Sequence, residues 1–169
     1  MDKKIRVAIN GFGRIGRAVL KIAWERPEIE IVAVNDLGSI DNLAYLLRHD
    51  TVYRGWGHEV SVSGTDLIID GKKVKFVSEK DTTKLPWKDL EIDVVVESTG
   101  LFTAYDKAKF HLDCGAKKVV ISAPSKGGDG TVAGETILLG VNEDKFGTCD
   151  ITSNASCTTN ASSPLIAIM

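Results

Sequence analysis

The chain has 169 residues, 43% of them hydrophobic and 26% charged, with a formal net charge of −2. This composition is typical of one globular domain, and the slight negative charge argues against a dedicated binder of nucleic acid or acidic membranes. No apolar run approaches the ~20 residues of a bilayer span. Three widely spaced cysteines form neither a disulfide framework nor a zinc-ligand pattern. We therefore expect a cytoplasmic protein without a bound metal.

Alternating strand and helix patterns open the chain. β-branched residues favour strands over residues 5–9 and 29–34, whereas apolar residues at helical spacing predict helices over 15–24 and 43–47. The order strand, helix, strand, helix is typical of a parallel sheet.

Three short strands then interrupt this alternation. They are predicted over residues 60–63, 67–69 and 74–77, and Asp70-Gly71 is a tight-turn signal between the last two. The parallel pattern resumes with predicted strands over 93–97, 118–122 and 137–140 and a helix over 105–114. A glycine-rich loop over 126–131 is predicted to be flexible.

The first predicted strand leads directly into a Gly-x-Gly-x-x-Gly spacing. Gly11 permits a sharp turn, Gly13 lets the backbone approach a diphosphate, and Gly16 lets the next helix pack against the strand. The N–H groups of Arg14 and Ile15 at the helix start are available to anionic oxygens. These features predict an α/β fold with a Rossmann-type doubly wound parallel sheet and a small antiparallel excursion.

Asp36 ends the second predicted strand, about 20 positions after Gly16, where dinucleotide-binding units carry an acid. Its carboxylate can accept hydrogen bonds from both hydroxyls of an adenosine ribose. Because it would repel a 2′-phosphate, it favours NAD over NADP. The alternative is a helix-capping aspartate in an unrelated strand–helix–strand unit.

Polar residues after two later strands are further candidate contacts. Ser98, Thr99 and Gly100 follow one strand and Ser122 follows another, and open α/β sheets bind ligands beyond the carboxyl ends of their strands. Equally, Thr99 and Ser122 could simply cap the next element. Lys80, by its type alone, is typical of a solvated surface charge.

Cys157 is surrounded by small polar residues, whereas structural cysteines usually lie among apolar neighbours. Ser156 is a suitable N-cap for the apolar segment that follows, which would place the thiol in the first turn of a helix. The positive end of a helix dipole lowers the pKa of a thiol and favours the nucleophilic thiolate. An incidental cysteine in a polar loop is the alternative.

The remaining histidines and cysteines show no such pattern. Nothing in the sequence places His49, His58 or His111 beside Cys157, and each pattern favours a surface or helix-face histidine. Cys114, at a predicted helix end, is interpreted as structural.

Six stretches of the sequence follow one another in the order found in a known family: Ile9-Asn-Gly-Phe-Gly-Arg-Ile-Gly-Arg17, Val34-Asn-Asp36, Glu97-Ser-Thr-Gly-Leu-Phe102, Ile121-Ser-Ala-Pro-Ser-Lys126, Gly140-Val-Asn142 and Ser153-Asn-Ala-Ser-Cys-Thr-Thr-Asn160. With them the sequence resembles the phosphorylating glyceraldehyde-3-phosphate dehydrogenase family. The last stretch resembles the active-site motif of that family.

The resemblance implies roles for individual residues. Cys157 would attack glyceraldehyde 3-phosphate to give a thiohemiacetal, which NAD oxidises to a thioester and inorganic phosphate cleaves to 1,3-bisphosphoglycerate. Ser156 and Thr158 would help to bind the substrate. The positions that match NAD-binding residues of the family are Asn10, Gly11, Gly13, Arg14, Ile15, Asp36, Lys80, Ser98, Thr99, Gly100 and Ser122. Lys80 stands where many members carry arginine, so it keeps the charge without the planar fork.

The resemblance covers the whole chain but only the first half of a family member. It implies an NAD-binding domain over residues 1–152 and the start of a catalytic segment over 153–169. We therefore expect a truncated chain, inactive without the C-terminal portion that carries the catalytic histidine, and a homotetramer for the complete protein. Two alternatives stay open: an erythrose-4-phosphate dehydrogenase and a non-catalytic nucleotide-binding module.

Overall fold

A computed structural model describes residues 3–125 and 129–169, so positions 126–128 of the predicted glycine-rich loop lie outside the described residues. The strands are β1 (Ile5–Asn10), β2 (Ile29–Asn35), β3 (Val60–Ser63), β4 (Asp66–Ile69), β5 (Lys72–Val77), β6 (Val94–Glu97), β7 (Lys118–Ile121), β8 (Gly134–Thr136) and β9 (Ile151–Ser153). The helices are α1 (Arg14–Trp24), α2 (Ile40–Arg48), α3 (Tyr105–Ala108), α4 (Phe110–Asp113) and α5 (Cys157–Ile168).

The strands form one sheet in the order β3-β4-β5-β2-β1-β6-β7-β9-β8. The pairs within β5-β2-β1-β6-β7-β9-β8 are parallel, while β3, β4 and β5 pair antiparallel. From β1 the chain first builds the sheet in one direction through β2 and then returns to the other side of β1 with β6. This reversal opens a crevice at the carboxyl ends of β1 and β6, which confirms the predicted doubly wound fold.

Both faces of the sheet are buried, because successive residues of a strand point to opposite faces. In β1, Val7 and Ile9 belong to the apolar cluster under α1 and α2, whereas Ala8 packs in a second cluster around Trp87. Leu20 of α1 is fully buried against the sheet. Full burial of such a side chain contributes roughly 1.5–3 kcal/mol, so the helices are fixed by the faces that they cover.

The antiparallel excursion has the predicted turn. Asp70 and Gly71 join β4 to β5 as a two-residue hairpin, with φ of 49° and 74°. Positive φ at both central residues is the geometry that aspartate-glycine pairs favour in hairpins. The cross-strand pair Ile69 and Lys72 closes the turn.

The predicted helix over 105–114 is wrong as a single element. It is two short helices, α3 and α4, separated at Lys109. The Leu112 N–H donates to Lys109 O at 2.9 Å, an i to i−3 bond in place of the α-helical bond. A tightened turn of this kind interrupts the regular α-helical ladder.

The predicted strand over 137–140 is also wrong, because the strand there is β8, three residues earlier. The Asn142 side chain accepts from the Leu138 N–H at 2.8 Å and donates to Thr136 O at 2.9 Å. These bonds turn the chain where the apolar pattern suggested an extended segment. The short partner strand β9 was not predicted.

Helix α5 continues through Pro164 and exposes Leu165, Ile166 and Ile168. Proline has no N–H, so one backbone hydrogen bond of this helix is missing. Across residues 3–125 and 129–169, no helix is both long and apolar enough to cross a bilayer.

Candidate dinucleotide-binding site

A cleft of about 450 Å³ lies at the carboxyl ends of β1, β2 and β6. Among the residues that line it are the predicted cofactor residues Asn10, Gly11, Gly13, Asp36, Lys80, Ser98 and Thr99. Further lining residues are Asn35, Leu37, Glu79, Thr82, Leu85, Leu101 and Phe102. Apolar walls with a few converging polar groups are typical of small-molecule sites.

Four predicted cofactor residues lie outside this lining. Arg14 and Ile15 are exposed in the first turn of α1, and Gly100 is exposed with φ of 76°. Ser122 follows β7, and its N–H donates to Glu97 O at 2.9 Å. The cleft therefore brings together the glycine turn, Asp36 and the residues after β6. Contact of a cofactor with the four residues outside the lining stays a prediction.

The three glycines of the turn differ in the space around them. Gly11 and Gly16 pack too closely against the backbone to carry a side chain, whereas Gly13 faces open space. A Cβ on Gly11, whose φ is 91°, would lie 2.6 Å from the Thr99 nitrogen, and one on Gly16 would lie 2.1 Å from Gly11 O. A Cβ on Gly13 would meet no described protein atom within 4 Å. Since Gly13 lines the cleft, its missing side chain leaves open space for a ligand.

Asp36 is half-buried at the end of β2, and its carboxylate contacts the glycine turn. Oδ2 accepts from the Phe12 N–H at 2.6 Å, and Oδ1 accepts from the Gly38 N–H at 2.8 Å. A carboxylate has about four acceptor positions, so both oxygens can still accept from ribose hydroxyls. The negative charge in the cleft would also repel a 2′-phosphate.

Three strands end at the cleft in polar residues, Asn10, Asn35 and Glu97, and Asn10 is the register partner of the other two. Asn10 and Asn35 line the cleft, and Glu97 lies beneath it. Asn35 Nδ2 donates to Asn10 Oδ1 at 2.8 Å, and Asn10 Nδ2 donates to Glu97 Oε2 at 2.6 Å. All three are buried. Of these three residues, only Asn10 was predicted to bind the cofactor. A polar residue in the last position of an apolar strand is the signal that would have found Asn35 and Glu97.

The hydroxyls after β6 are engaged within the protein. Ser98 Oγ donates to Gly11 O at 2.7 Å, which connects β6 to the glycine turn. Thr99 Oγ1 donates to Glu97 Oε1 and accepts from the Leu101 N–H at 3.1 Å. These bonds fix the turn after β6, whereas the N-cap of the next helix, α3, is Ala104.

His111 lies on α4, as the helix-face prediction expected, but its ring is fully buried rather than at the surface. Nε2 lies 2.9 Å from Glu97 Oε2, and Nδ1 lies 2.9 Å from Trp87 Nε1. The pKa of His111 is lowered, chiefly because burial disfavours the charged ring, although Glu97 opposes this effect. A ring of this polarity can be buried here because both nitrogens have partners.

His49 and His58 also agree with the prediction of surface or helix-face histidines. His49 is exposed at the end of α2, and His58 is half-buried between Asp70 and Glu25, with ring nitrogens 2.6 Å from each carboxylate. Among the described residues, none of the histidines forms a hydrogen bond with Cys157.

Cys157 begins α5 and is exposed. Ser156 is its N-cap, as predicted, and Ser156 Oγ accepts from the Thr159 N–H at 3.0 Å. Ser156 Oγ also lies 2.9 Å from Thr158 Oγ1. Ala155, just before the cap, has φ of 61°, an uncommon conformation for a residue with a side chain.

The other cysteines differ from Cys157. Cys114 is half-buried, its thiol donates to Thr82 O at 3.1 Å, and burial raises its pKa. A buried thiol of raised pKa is unreactive, which agrees with a structural role. Cys149 is likewise half-buried, and its thiol donates to Ile151 O at 3.1 Å.

The fold and the cleft define a dinucleotide-binding domain, and comparison with known proteins identifies its family. Residues 5–105 match the family described as "Glyceraldehyde 3-phosphate dehydrogenase, NAD binding domain". The chain belongs to the glyceraldehyde 3-phosphate dehydrogenase family, and its cofactor is NAD.

Individual relatives agree. The chain is 50% identical over 166 residues to glyceraldehyde-3-phosphate dehydrogenase 1 of Kluyveromyces lactis, and the aligned region covers 98% of this chain and 49% of the relative. It is 50% identical over 167 residues to the Thermotoga maritima glyceraldehyde-3-phosphate dehydrogenase, and the aligned region covers 97% of this chain and 49% of that relative. It is 47% identical over 167 residues to the Geobacillus stearothermophilus protein of the same name, and the aligned region covers 98% of this chain and 48% of that relative. The chain thus spans about half the length of the curated relatives that it matches.

Proposed function

We propose that this chain is the NAD-binding, nucleophile-bearing half of a phosphorylating glyceraldehyde-3-phosphate dehydrogenase. The observation that carries the proposal is a shared edge of the sheet. The cleft lies at the carboxyl ends of β1, β2 and β6, and Cys157 follows the carboxyl end of β9, which runs parallel to them in the same sheet. A dinucleotide with its adenosine at Asp36 would extend along this edge towards the thiol.

In this proposal each part of the cleft takes one part of the cofactor. The Gly13 backbone and the N–H groups of Arg14 and Ile15 face the diphosphate, where the positive end of α1 favours anionic oxygens. Asp36 accepts from the adenosine ribose. The remaining proposed contacts are Asn10, Gly11, Lys80, Ser98, Thr99, Gly100 and Ser122. Bound NAD supplies a hydride acceptor for oxidation of the substrate carbon.

Cys157 is the proposed catalytic nucleophile. Its thiolate attacks the aldehyde carbon and forms a C–S bond, while the carbonyl oxygen takes a proton and becomes the hydroxyl of a thiohemiacetal. After oxidation to the thioester, an oxygen of inorganic phosphate attacks the acyl carbon, the C–S bond breaks and the thiolate leaves. The reacting sulfur lies in the first turn of α5, near the N-terminal backbone of that helix.

Ser156 and Thr158 are the proposed substrate-binding residues. Their hydroxyls are 2.9 Å apart on the N-terminal turn that carries Cys157. Both are therefore adjacent to Cys157 in the chain and lie at the N-terminus of α5, whose positive end favours an anionic substrate.

The larger context belongs to the proposal too. Residues 1–152 form the cofactor domain and 153–169 open the catalytic segment. We propose that the general base, the remaining substrate contacts and a homotetrameric assembly depend on sequence corresponding to the half of the relatives that this chain does not span. The cytoplasmic location stays a prediction.

Substrate oxidation tests the proposal. The complete protein should form NADH from glyceraldehyde 3-phosphate and phosphate with a higher kcat/KM than from erythrose 4-phosphate, and Cys157→Ser should abolish turnover. The 169-residue chain alone should give little or no turnover. Undiminished activity of Cys157→Ser, a preference for erythrose 4-phosphate, or full activity of the isolated chain would each contradict it.

A further inference from the structure

A directed hydrogen-bond chain passes beneath the cleft and includes a histidine that no ligand can reach. Its members in order are Trp87, His111, Glu97, Asn10 and Asn35. Trp87 and His111 are fully buried, and the other members are at most 6% exposed. The role of His111 must therefore be exerted through Glu97 rather than by contact with a ligand.

The direction of this chain follows from chemistry. An indole N–H can only donate, so His111 Nδ1, at 2.9 Å from Trp87 Nε1, must be the unprotonated acceptor. The ring proton is then on Nε2 and is donated to Glu97 Oε2 at 2.9 Å. A doubly protonated ring would place two N–H groups against each other at Trp87. The indole thus selects the neutral Nε2–H tautomer.

Glu97 is in turn satisfied as an ionised carboxylate. Oε2 accepts from His111 and from Asn10 Nδ2, while Oε1 accepts from the N–H of Thr99 at 2.9 Å and from its hydroxyl. These four donors use about all the acceptor positions of a carboxylate. Removing the His111 donor would leave one of these acceptor positions unfilled and weaken the constraint on the Glu97 carboxylate.

The remaining links reach the wall of the cleft. Because Asn10 Nδ2 is committed to Glu97, its Oδ1 must accept from Asn35. Asn35 Oδ1 then accepts from the Glu79 N–H at 2.9 Å, and its Nδ2 also donates to Glu79 O at 3.1 Å. Glu79 precedes Lys80, and both line the cleft.

We propose that His111 is a positioning residue for NAD: through its Nε2–H it fixes Glu97, and through Glu97 it fixes Asn10, Thr99 and the 79–80 wall of the cleft. This inference rests on the proposed cofactor site. His111 would thus influence NAD affinity without contacting NAD, and Trp87, on the other side of its ring, fixes its tautomer.

Two substitutions of similar polarity separate the two ring nitrogens. In His111→Gln the amide nitrogen takes the place of Nε2 and can donate to Glu97, whereas in His111→Asn the shorter amide reaches only the Nδ1 position. The NAD dissociation constant, by calorimetry, should stay within about threefold of wild type for His111→Gln and rise about tenfold or more for His111→Asn, on the scale of one hydrogen bond to a charged group. His49→Gln, at an exposed histidine, is the control.

Stability separates positioning from a merely structural role. Both variants leave Trp87 or Glu97 without a partner, so both should lower the midpoint of thermal unfolding. Affinity should nevertheless follow the donor to Glu97 rather than the loss of stability. Equal NAD affinity for folded His111→Asn, His111→Gln and wild type would overturn the inference while leaving the proposed cofactor site intact.

A measurement on the unmodified chain covers the case in which neither variant folds. Nitrogen-15 spectra of the imidazole should show the neutral Nε2–H tautomer at pH 7 before NAD is added. On NAD addition, the resonances of His111 Nε2 and of the Asn10 side-chain amide should shift with the same dissociation constant. A charged ring, the opposite tautomer, or an unmoved His111 resonance at saturation would overturn the inference. Failure of the wild-type chain to bind NAD at all would instead contradict the proposed cofactor site.

Discussion

The Phe12 N–H donates a 2.6 Å hydrogen bond to Oδ2 of Asp36, so the glycine turn and the adenosine-side acid are one connected unit. The two residues come from successive strand ends of the parallel sheet. The acid therefore both faces the cleft and positions the turn that would bind the diphosphate. A change at Asp36 should affect both functions together.

Substitution Asp36→Asn tests this unit. The neutral amide keeps one acceptor oxygen but removes the charge that disfavours a 2′-phosphate, and it turns an acceptor into a donor. We expect NAD affinity to fall by about tenfold, or 1.4 kcal/mol, and the preference for NAD over NADP to narrow. Titration with both cofactors measures this, with Asp41→Asn on the exposed face of α2 as the control. Unchanged discrimination would remove Asp36 from the cofactor site.

Gly13→Ala should separate binding from folding. Gly13 has φ of −68°, which alanine adopts readily, and a Cβ there would meet no described atom within 4 Å. We therefore expect the free energy of unfolding to change by no more than about 1 kcal/mol. The methyl group would occupy the space proposed for the diphosphate and lower NAD affinity by about tenfold or more. Gly57→Ala, also in open space, should change neither quantity. Normal NAD binding by folded Gly13→Ala would place the diphosphate elsewhere.

The contacts of His58 should make stability depend on pH. The hydrogen bonds that His58 donates to the carboxylates of Asp70 and Glu25 raise the pKa of His58 above 6.5, and the bond to Asp70 lowers the pKa of Asp70 below 3.8. The contribution of His58 is complete below pH 6.5 and is lost as pH rises through its raised pKa. The contribution of Asp70 is complete above pH 3.8 and is lost as pH falls through its lowered pKa.

The substitution His58→Gln measures this contribution, because glutamine can hydrogen-bond but does not titrate. The difference in thermal midpoint between wild type and His58→Gln should be largest between about pH 4 and 6.5, because only there are the contributions of His58 and Asp70 both complete, and it should be smaller at pH 8.5. A difference that stayed constant from pH 5 to 9 would show that His58 contributes packing alone, including its contact with Trp56, whose ring centroid lies 4.4 Å away.

Loss of the cap before Cys157 should change both stability and thiol chemistry. Ser156→Ala removes the acceptor for the Thr159 N–H and should cost about 1 kcal/mol in the free energy of unfolding. Fraying of the first turn should also slow alkylation of Cys157 by iodoacetamide at neutral pH. Ser162→Ala, in the same helix, removes only a bond to Thr158 O and is the matched control. Equal alkylation rates in the two variants would argue against activation of the thiol by the helix start.

The sequence predicted those features that depend on local chemistry. The glycine turn, the Asp70-Gly71 hairpin and the Ser156 cap each follow from residue types that favour one backbone geometry. The order of strands and helices likewise predicted the doubly wound sheet, because parallel strands require helical crossovers.

Features that depend on contacts between distant parts of the chain were missed or misplaced. Nothing near His111 in sequence indicates that its ring lies between Trp87 and Glu97, which are brought together only by packing of α4 on the sheet. The strand expected over 137–140 ends early because Asn142 bonds back to Thr136 and Leu138. A side chain that redirects its own backbone in this way competes with the apolar pattern on which the prediction depended.

The most direct test of the central claim is an NAD titration of the 169-residue chain followed by amide chemical shifts. We expect saturable shifts at Gly13, Asp36, Lys80 and Thr99, around the ends of β1, β2 and β6. Shifts confined to another surface, such as the groove between Arg26 and Lys72 at the opposite edge of the sheet, would contradict it. So would the absence of any shift at millimolar NAD.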